Sequence, residues 1–577
     1  MRQVFVRPGA PKPPTDEERQ LYYYGLPSCP KLVARSSRHI WVNENKFQYN
    51  ACHDSHLKTL RPVGRRPLLH RLWNNASSSL RVQILQAVSV ADWTAIDILR
   101  VCINTCREGS VTLMIAVSPG SLSWRDGYAI ALRCKSILQA HGIYGVDCEI
   151  RESLVTFCTK DESETKSTTR VSVESSVEPS VEPSVEPSVE PSVESSTDSS
   201  ANSSADSTNE TSSSTTFQLF SGPMPKHDEY FAGYTWAAFS DALGTAIAMK
   251  HRDSWTGTKG LYLSLSPSSP GVEPKVLALT CRHVVIDSKT EGLETYCRPE
   301  SAPFKDVVQV DQPNYEYMVR LLDSTLSLYR QSSEHFDGDL PCSPIAKGTL
   351  SLLQAIMPFN SASSRAFGRL LYSPGLDTTA TKRDAQWSRD WALIELLPGS
   401  HQSPLSLIKN KVDIGSALDF ILLEFAKKRA AIDIELEDGY QTMKNTIVPI
   451  DQIFRSDCAA EDEPMMVINY GLRGWHRLGL GNTVKSIVRH PEAPGGIKRE
   501  SEEWAIVSVT PEREQIQGNF STGGDSGACV WDMKHRPAGI ITAGSSFFRQ
   551  AYDVTYAQPL EGILADIKSC GYDVSLR

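Results

Sequence analysis

The chain has 577 residues and a formal net charge of −9 at pH 7, with 40% apolar and 22% charged residues. This length leaves room for several domains, and the acidic balance argues against a nucleic-acid partner. No run of 18 apolar residues occurs, and the first residues lack an apolar segment of signal-peptide length. We therefore expect no membrane partner and a cytoplasmic or nuclear location.

The 13 cysteines are an odd number without tight spacing, which favours reduced, mostly buried thiols over a disulfide framework. Cys102 and Cys106 lie four residues apart on a predicted helix. A buried helix face explains this pair better than a bound metal ion does.

The first part of the chain divides into two regions by composition. Residues 1–60 are proline-rich and then mixed, and we expect irregular structure there. Residues 61–156 predict a small α/β domain in the order βαβαβ. The predicted strands are 80–88, 111–117 and 146–150, and the predicted helices are 92–103 and 124–140. No glycine-rich phosphate loop follows a strand, so we expect no nucleotide cofactor. Packing or oligomerisation is the favoured role, and regulation or substrate recruitment stays open.

Residues 157–216 predict a disordered linker. Their centre repeats Ser-Val-Glu-Pro, as at 176–179, and Ser/Thr/Asn/Asp-rich sequence follows. Such a repeat, with proline and no aromatic residue, buries too little surface to offset the entropy of ordering the chain. The linker separates the α/β domain from a third region, residues 217–577.

The third region contains a serine in a setting suited to nucleophilic attack. Residues 521–531 are STGGDSGACVW, in which Ser526 lies between glycines and follows an acid. Glycine allows the backbone conformations of a tight turn. The N–H groups of Gly524 and Ser526 are therefore candidates for an oxyanion hole, which binds the oxygen of the attacked carbonyl.

Two other stretches supply candidate partners for this serine. An apolar strand at 276–280 delivers His283, and Asp390 begins the buried-looking strand 390–396. Histidine, aspartate and serine thus follow one another in one of the chain orders known for catalytic triads. Rival acids are Asp287, which is nearer to His283, and a pair in a turn-like setting, Asp337 and Asp339. We favour Asp390 because the start of a buried strand has a fixed orientation.

Four motifs together resemble the trypsin-like, chymotrypsin-fold serine peptidases, and their intracellular and bacterial-type members more than the secreted ones. The motifs are TCRHVV at 280–285, DWALI at 390–394, GDSG at 524–527 and AGIITAG at 538–544. The resemblance covers residues 217–577 and implies an all-β domain of two six-stranded antiparallel barrels with the active site between them. Excess sequence at about 290–385 and 404–452 indicates helical insertions.

The chemistry of such a site assigns a role to each residue. Ser526 attacks a carbonyl, His283 takes and returns the proton, and Asp390 orients the imidazole. Asp525 is expected to hold the oxyanion loop. Because no activating cleavage site resembling that of the secreted enzymes is evident, Asp525 needs a partner other than a new N-terminus.

The resemblance also implies a substrate pocket and a reaction. The pocket residues are Phe520 near the floor and Thr542 and Gly544 along the wall. No acid lies at the floor position, so we expect no preference for arginine or lysine. The substrate is expected to be a protein or peptide, cleaved through an acyl-enzyme intermediate without a cofactor or metal ion.

Two other functions remain possible at this stage. The peptidase fold can serve as a catalytically silent interaction or signalling module, since a fold alone does not supply activity. A metal-dependent hydrolase is less favoured, because Cys281 and His283 have no partner cluster at zinc spacing. The natural substrate and the oligomeric state are left open.

Overall fold

The structure is a computed structural model of the chain with side chains. It describes residues 11–42, 57–103, 109–158, 160–161, 218–220, 235–252, 255–267, 269–271, 273–335, 344–376, 387–413, 440–455, 464–471, 476–490, 499–509, 518–547 and 551–577. Outside these ranges lie the predicted linker beyond residue 161, residues 414–439 of the second predicted insertion, Cys106, Asp337 and Asp339. The protein is multidomain and rich in β structure.

The elements are numbered along the chain. Up to residue 161 they are α1 (Asp16–Leu21), β1 (Leu32–Arg35), β2 (Lys58–Arg61), α2 (Pro67–Trp73), α3 (Ser79–Val88), β3 (Trp93–Ile103), β4 (Ser110–Val117), α4 (Trp124–Ala140), β5 (Asp147–Glu152), β6 (Leu154–Phe157) and β7 (Lys160–Asp161). Up to residue 413 they are β8 (Ala246–Met249), β9 (Trp255–Thr258), β10 (Leu261–Leu265), β11 (Lys275–Thr280), α5 (Arg282–Val285), β12 (Tyr296–Cys297), β13 (Asp306–Gln309), α6 (Gln312–His335), α7 (Pro344–Ile356), β14 (Ala366–Ser373), β15 (Ala392–Leu396) and β16 (Lys411–Asp413). The remaining elements are β17 (Tyr440–Thr442), α8 (Ile450–Ile453), β18 (Met466–Tyr470), β19 (His476–Gly481), β20 (Ser486–Arg489), β21 (Glu500–Ser508), β22 (Cys529–Asp532), β23 (Pro537–Ser546), β24 (Val554–Pro559), α9 (Leu560–Ser569) and β25 (Val574–Leu576).

The α/β region does not have the predicted order βαβαβ. Residues 80–88, predicted as a strand, lie in helix α3. Ser78 caps this helix by accepting a hydrogen bond from the backbone N–H of Arg81. The alternating apolar pattern of residues 80–88 predicted a strand whose buried face would include Val82. In the structure Val82 is exposed, whereas Leu80 and Ile84 are buried at helical spacing.

The predicted helix 92–103 is also wrong, because these residues form strand β3. The two faces of β3 are buried in different clusters, with Ile96 and Ile98 on one side and Ala95 and Leu99 on the other. A strand buried on both faces carries a nearly continuous apolar run, which periodicity cannot distinguish from a helix. Cys102 therefore lies on a strand rather than on a helix.

The predicted strands at 111–117 and 146–150 and the helix at 124–140 are confirmed as β4, β5 and α4. β4 and β5 are parallel and are connected by α4, whereas β3 and β4 are antiparallel. β2 and β1 complete this part of the sheet in the order β2, β3, β4, β5, β1.

A closed antiparallel barrel of six strands lies near the C-terminal end of the chain. Its strands pair in the ring β18, β19, β21, β24, β23, β22 and back to β18. Val467, Trp504, Ile506, Val530 and Ile541 belong to one buried cluster formed by these strands. The barrel brings together the strands that flank Ser526.

A second sheet of ten strands carries His283 and Asp390. It is ordered β25, β10, β11, β15, β14, β13, β8, β9, β7, with β12 beside β14. β9 and β10 are separated only by Lys259 and Gly260, and these two N–H groups donate to Thr245 and Leu279, each at 2.9 Å. The backbone therefore passes from pairing with β8 directly to pairing with β11.

The α/β region and the barrel share one sheet of 13 strands. β3 pairs with β20, and β6 pairs with β23. A buried ionic cluster crosses the same boundary, with the guanidinium of Arg151 3.1 Å from Asp553 and 3.8 Å from Asp97. The hydroxyl of Ser486 donates to Asp97 at 2.6 Å. The two regions are therefore joined by backbone pairing and by buried charge.

The helices predicted in the first insertion are confirmed. α6 and α7 pack on each other, and Tyr315, Met318, Leu322, Leu352 and Ile356 join the large cluster beneath the second sheet. α9 follows β24 directly and packs on the barrel near the C-terminal end of the chain.

Candidate active site

Two neighbouring strands place His283 beside Asp390. β11 ends at Thr280, and His283 lies in the single helical turn of α5 directly after it, rather than on the strand as predicted. β15 pairs with β11, and Thr280 faces Ala392 across that pair. Asp390 lies two residues before Ala392, so the strand register brings its carboxylate next to the imidazole.

Ser526 approaches from the six-stranded barrel. It lies in the turn before β22, and its backbone oxygen accepts a 2.7 Å hydrogen bond from the N–H of Thr258 in β9. This bond links the turn to the second sheet. The three side chains predicted from the sequence therefore meet where the two sheets face each other.

The three side chains form a continuous hydrogen-bonded chain. His283 Nδ1 lies 2.5 Å from Asp390 Oδ2, and His283 Nε2 lies 2.7 Å from Ser526 Oγ. Asp390 Oδ1 also accepts a 3.0 Å hydrogen bond from the backbone N–H of His283. All three residues are buried. The carboxylate thus holds both the ring and the backbone of the histidine.

The electrostatics assign the protons in this chain. Burial opposes ionisation of Asp390, but the nearby His283 charge and the hydrogen bonds from its ring and backbone lower the pKa of Asp390 to about 2. An ionised Asp390 can only accept, so Nδ1 carries a proton, and Nε2 has the free lone pair when the imidazole is neutral. That lone pair is positioned to accept the proton of Ser526.

The N–H groups of Gly524 and Ser526 converge on one point, as predicted for an oxyanion hole. Both donate to the backbone oxygen of Cys158, at 2.6 Å and 2.9 Å. Gly524 has a φ of 101°, a conformation that favours glycine. Any residue with a Cβ at position 524 would strain the turn that orients the two N–H donors.

Asp525 has a cationic partner within the chain. Arg477 Nη1 of β19 lies 3.1 Å from Asp525 Oδ2, and the backbone N–H of Thr522 donates to the same oxygen at 2.8 Å. The Asp525 side chain is only 2% exposed. Arg477, which the sequence analysis did not identify, therefore occupies the role for which a partner was expected.

Cys281, His283 and Asp390 offer atoms close enough together to bind a metal ion. Their existing contacts argue against that use. Both ring nitrogens of His283 already face protein partners. Burial raises the pKa of the Cys281 thiol well above its usual range, and Sγ lies 3.2 Å from the backbone oxygen of Ile541. A protonated thiol is a poor ligand, because metals bind the thiolate.

The predicted pocket residues lie in the barrel wall behind Ser526. Phe520 is buried against Gly479 in the same cluster as Cys158. Thr542 and Gly544 lie on β23, and the backbone oxygen of Thr542 is 3.1 Å from Ser526 Oγ. Gly544 lies beneath the ring of Tyr552, which a Cβ at this glycine would overlap.

Sequence reasoning missed two aromatic residues of this site. Tyr552 covers Gly544, and the ring of His490 lies 5.9 Å from that of Phe157. Neither residue belongs to any of the four motifs, so no local pattern pointed to them. The rival acid Asp287 instead faces Arg252 at 3.4 Å, and the hydrogen bonds described for His283 go to Asp390.

No family model matches this chain, and no curated protein matches it. Among the helices that the structure describes, none is both long enough and apolar enough to cross a membrane. The function therefore has to be argued from the site alone.

Proposed function

We propose that the protein is a serine endopeptidase that cleaves peptide bonds through an acyl-enzyme intermediate. The observation that carries this proposal is the position of His283, between Asp390 at 2.5 Å and Ser526 at 2.7 Å. Nucleophile, base and orienting acid at such distances are the arrangement that activates a serine hydroxyl.

In the proposed mechanism, Ser526 Oγ attacks the substrate carbonyl while His283 Nε2 takes its proton. The N–H groups of Gly524 and Ser526 stabilise the developing oxyanion, and each such donor typically contributes about 10²–10³ in kcat. His283 then donates the proton to the leaving amine, and water hydrolyses the ester. Asp390 keeps the imidazole in the required tautomer and stabilises its positive charge.

The wider architecture supports this proposal. We infer a double-barrel peptidase fold, in which the second sheet forms the other barrel. Its support is the short connection at Lys259 and Gly260, which carries the chain from β8 to β11 and links the two ends of the sheet. The active site then lies between two barrels, where an extended peptide can pair with the edge of β23 that β6 occupies.

The competing proposal is a catalytically silent interaction module. It is favoured by one observation: β6 of the same chain lies along β23 and fills the groove beside Ser526. In contrast, a cavity of about 460 Å³ lies elsewhere, lined by Arg298, Arg369 and Tyr572. None of these residues belongs to the triad, so this cavity favours neither the peptidase nor the silent interaction module.

Labelling with a fluorophosphonate probe under reducing conditions separates the two proposals. The wild type is compared with Phe157→Asp, which weakens β6 by removing the ring stacked on His283. We expect Phe157→Asp to be labelled and the additional Ser526→Ala exchange to abolish labelling. Ser508→Ala, at the end of β21, is the matched control and should leave labelling unchanged. A folded Phe157→Asp protein without label would favour the silent module.

A further inference from the structure

Strand β6 occupies the groove in the manner of an extended peptide. It pairs antiparallel with β23, so that Phe157 faces Ala543, Thr156 faces Gly544 and Val155 faces Ser545. The hydroxyl of Tyr552 adds a 3.3 Å hydrogen bond to the backbone oxygen of Phe157. Because main-chain pairing along a sheet edge is a common mode of peptide recognition, β6 is bound as a ligand of the neighbouring barrel.

Cys158, the next residue, presents its carbonyl to the catalytic groups. Its oxygen accepts from the N–H groups of Gly524 and Ser526 at 2.6 and 2.9 Å, and its own N–H donates to the backbone oxygen of Thr542 at 3.3 Å. The same Thr542 oxygen lies 3.1 Å from Ser526 Oγ. The carbonyl that the oxyanion hole holds therefore belongs to the chain itself.

The side chains of the two residues that lead up to this carbonyl are equally well placed. Cys158 is fully buried, in one cluster with Phe520 and Tyr552. The ring of Phe157 stacks on that of His283, with 4.0 Å between centroids and 15° between planes. Burial and stacking thus fix the two residues that precede the carbonyl.

The chain also pairs with the protein beyond this carbonyl. Strand β7 pairs antiparallel with β9, placing Lys160 opposite Thr256 and Asp161 opposite Trp255. The same β9 contains Thr258, whose N–H is bonded to the backbone oxygen of Ser526. Backbone pairing on both sides of Cys158 holds the carbonyl of Cys158, which in the sequence is bonded to the nitrogen of Thr159, next to the nucleophile.

We propose that the protein cleaves its own Cys158–Thr159 peptide bond, within one molecule. This proposal rests on the proposed serine peptidase function and identifies its first substrate. Ser526 Oγ bonds to the Cys158 carbonyl carbon, and its proton passes to His283. The bond to the Thr159 nitrogen then breaks as His283 protonates that amine. Water finally hydrolyses the Ser526 ester, which leaves a carboxylate on Cys158 and restores the serine.

Cleavage is expected to leave the two products associated. Residues 1–158 keep the pairing of β3 with β20 and the buried contacts of Arg151 with Asp553 and Asp97. The side chains of Arg81 and Glu502 form a further buried ion pair across this boundary. Separation of the fragments would expose all these groups, so a native complex of two chains should persist.

The test is expression of the full chain followed by a denaturing gel, intact mass and N-terminal sequencing. The wild type is expected to give fragments 1–158 and 159–577, the second beginning at Thr159. Ser526→Ala should remain one chain. On native size-exclusion chromatography the wild-type fragments should elute together, at the position of the uncut Ser526→Ala protein.

Two glutamate variants test the pocket for residue 158. Cys158→Glu places a carboxylate in a buried site that already feels the negative charge of Asp525. It should abolish the cut. Cys297→Glu is the matched control, because Cys297 is exposed, and it should be cleaved like the wild type. Equal cleavage of both variants would contradict the assignment of Cys158 to the pocket.

The outcomes distinguish self-cleavage from the underlying peptidase function. An uncut wild type, combined with Ser526-dependent labelling of Phe157→Asp, would overturn self-cleavage and leave the peptidase proposal standing. An uncut wild type without such labelling would overturn both. Tagged Ser526→Ala mixed with the wild type should stay intact, and its conversion would show that cleavage occurs between molecules.

Discussion

The ion pair between Arg477 and Asp525 should control both stability and the oxyanion hole. Arg477→Met removes the cation and leaves a carboxylate that is 2% exposed. Removing one partner of a buried ion pair typically costs about 3–5 kcal/mol. Since Arg477 itself is 21% exposed, we expect a loss near the lower end, about 3 kcal/mol, in the free energy of unfolding.

The same exchange should slow catalysis. Asp525 lies between Gly524 and Ser526, whose N–H groups bind the carbonyl oxygen. If the loop relaxes around an unpaired Asp525, at least one donor loses its aim, which corresponds to about 10²–10³ in rate. Arg477→Lys keeps the charge and should retain more activity than Arg477→Met.

Urea unfolding and the rate of fluorophosphonate labelling, both in the Phe157→Asp background, measure these effects. Lys275→Met is the control, because Lys275 is 54% exposed and its partner Glu395 keeps a second cation, Arg298. Such exposed pairs contribute about 0–1 kcal/mol. If Arg477→Met were as stable and as reactive as Lys275→Met, the argument that Arg477 holds the oxyanion loop would be refuted.

Three other predictions concern buried charges. Asp390→Asn should lower the labelling rate about 10⁴-fold, because an amide favours the wrong histidine tautomer; a loss under tenfold would contradict the role of Asp390. Burial lowers the pKa of Lys259 from 10.5 to about 7, so the free energy of unfolding should rise with pH from about 7 to 10.5. Lys58, whose pKa burial also lowers to about 7, contributes to the same rise. Lys259→Met should therefore make the rise shallower, by up to about 4–5 kcal/mol across this pH range; a slope in urea-unfolding data that matched the wild type would contradict this. Arg151→Met leaves the buried carboxylates of Asp97 and Asp553 without their cation, and it should lower the free energy of unfolding by about 3–5 kcal/mol in the same assay. A loss under 1 kcal/mol would show that this ionic cluster does not stabilise the contact between the α/β region and the barrel.

The meeting of His283, Asp390 and Ser526 could be anticipated from the sequence because each has a local signal. Each residue lies near the end of an apolar strand or in a glycine turn, and the ends of strands are where a sheet can present side chains to a cleft. Asp390 was preferred over Asp287 on this ground, and the structure places it against the imidazole. The single helical turn that carries His283 was not anticipated, because four residues provide no periodicity.

The contacts that complete the site could not be predicted, because they join segments far apart in the chain. Arg477 has ordinary surroundings in the sequence, and only the barrel register brings it to Asp525. β6 precedes a low-complexity stretch and consists of four residues. The role of β6 depends on its pairing with β23, and no pattern in the sequence indicates that these two strands pair. The error at 92–103 has a different cause, the burial of β3 on both faces. At 80–88 an alternating pattern concealed the helical spacing of the buried Leu80 and Ile84.

The pairing of β6 with β23 also sets an order of events during protein synthesis. Val155 faces Ser545 in that pairing, so the strand to be cut leaves the ribosome long before the strand that binds it. At roughly 5–20 residues per second, the interval is about 20–80 s. The proposed cut thus has to wait until translation has nearly finished, and a polypeptide that stalls before β23 stays whole. Processing of the N-terminal region would then report that the C-terminal barrel has been completely made and folded.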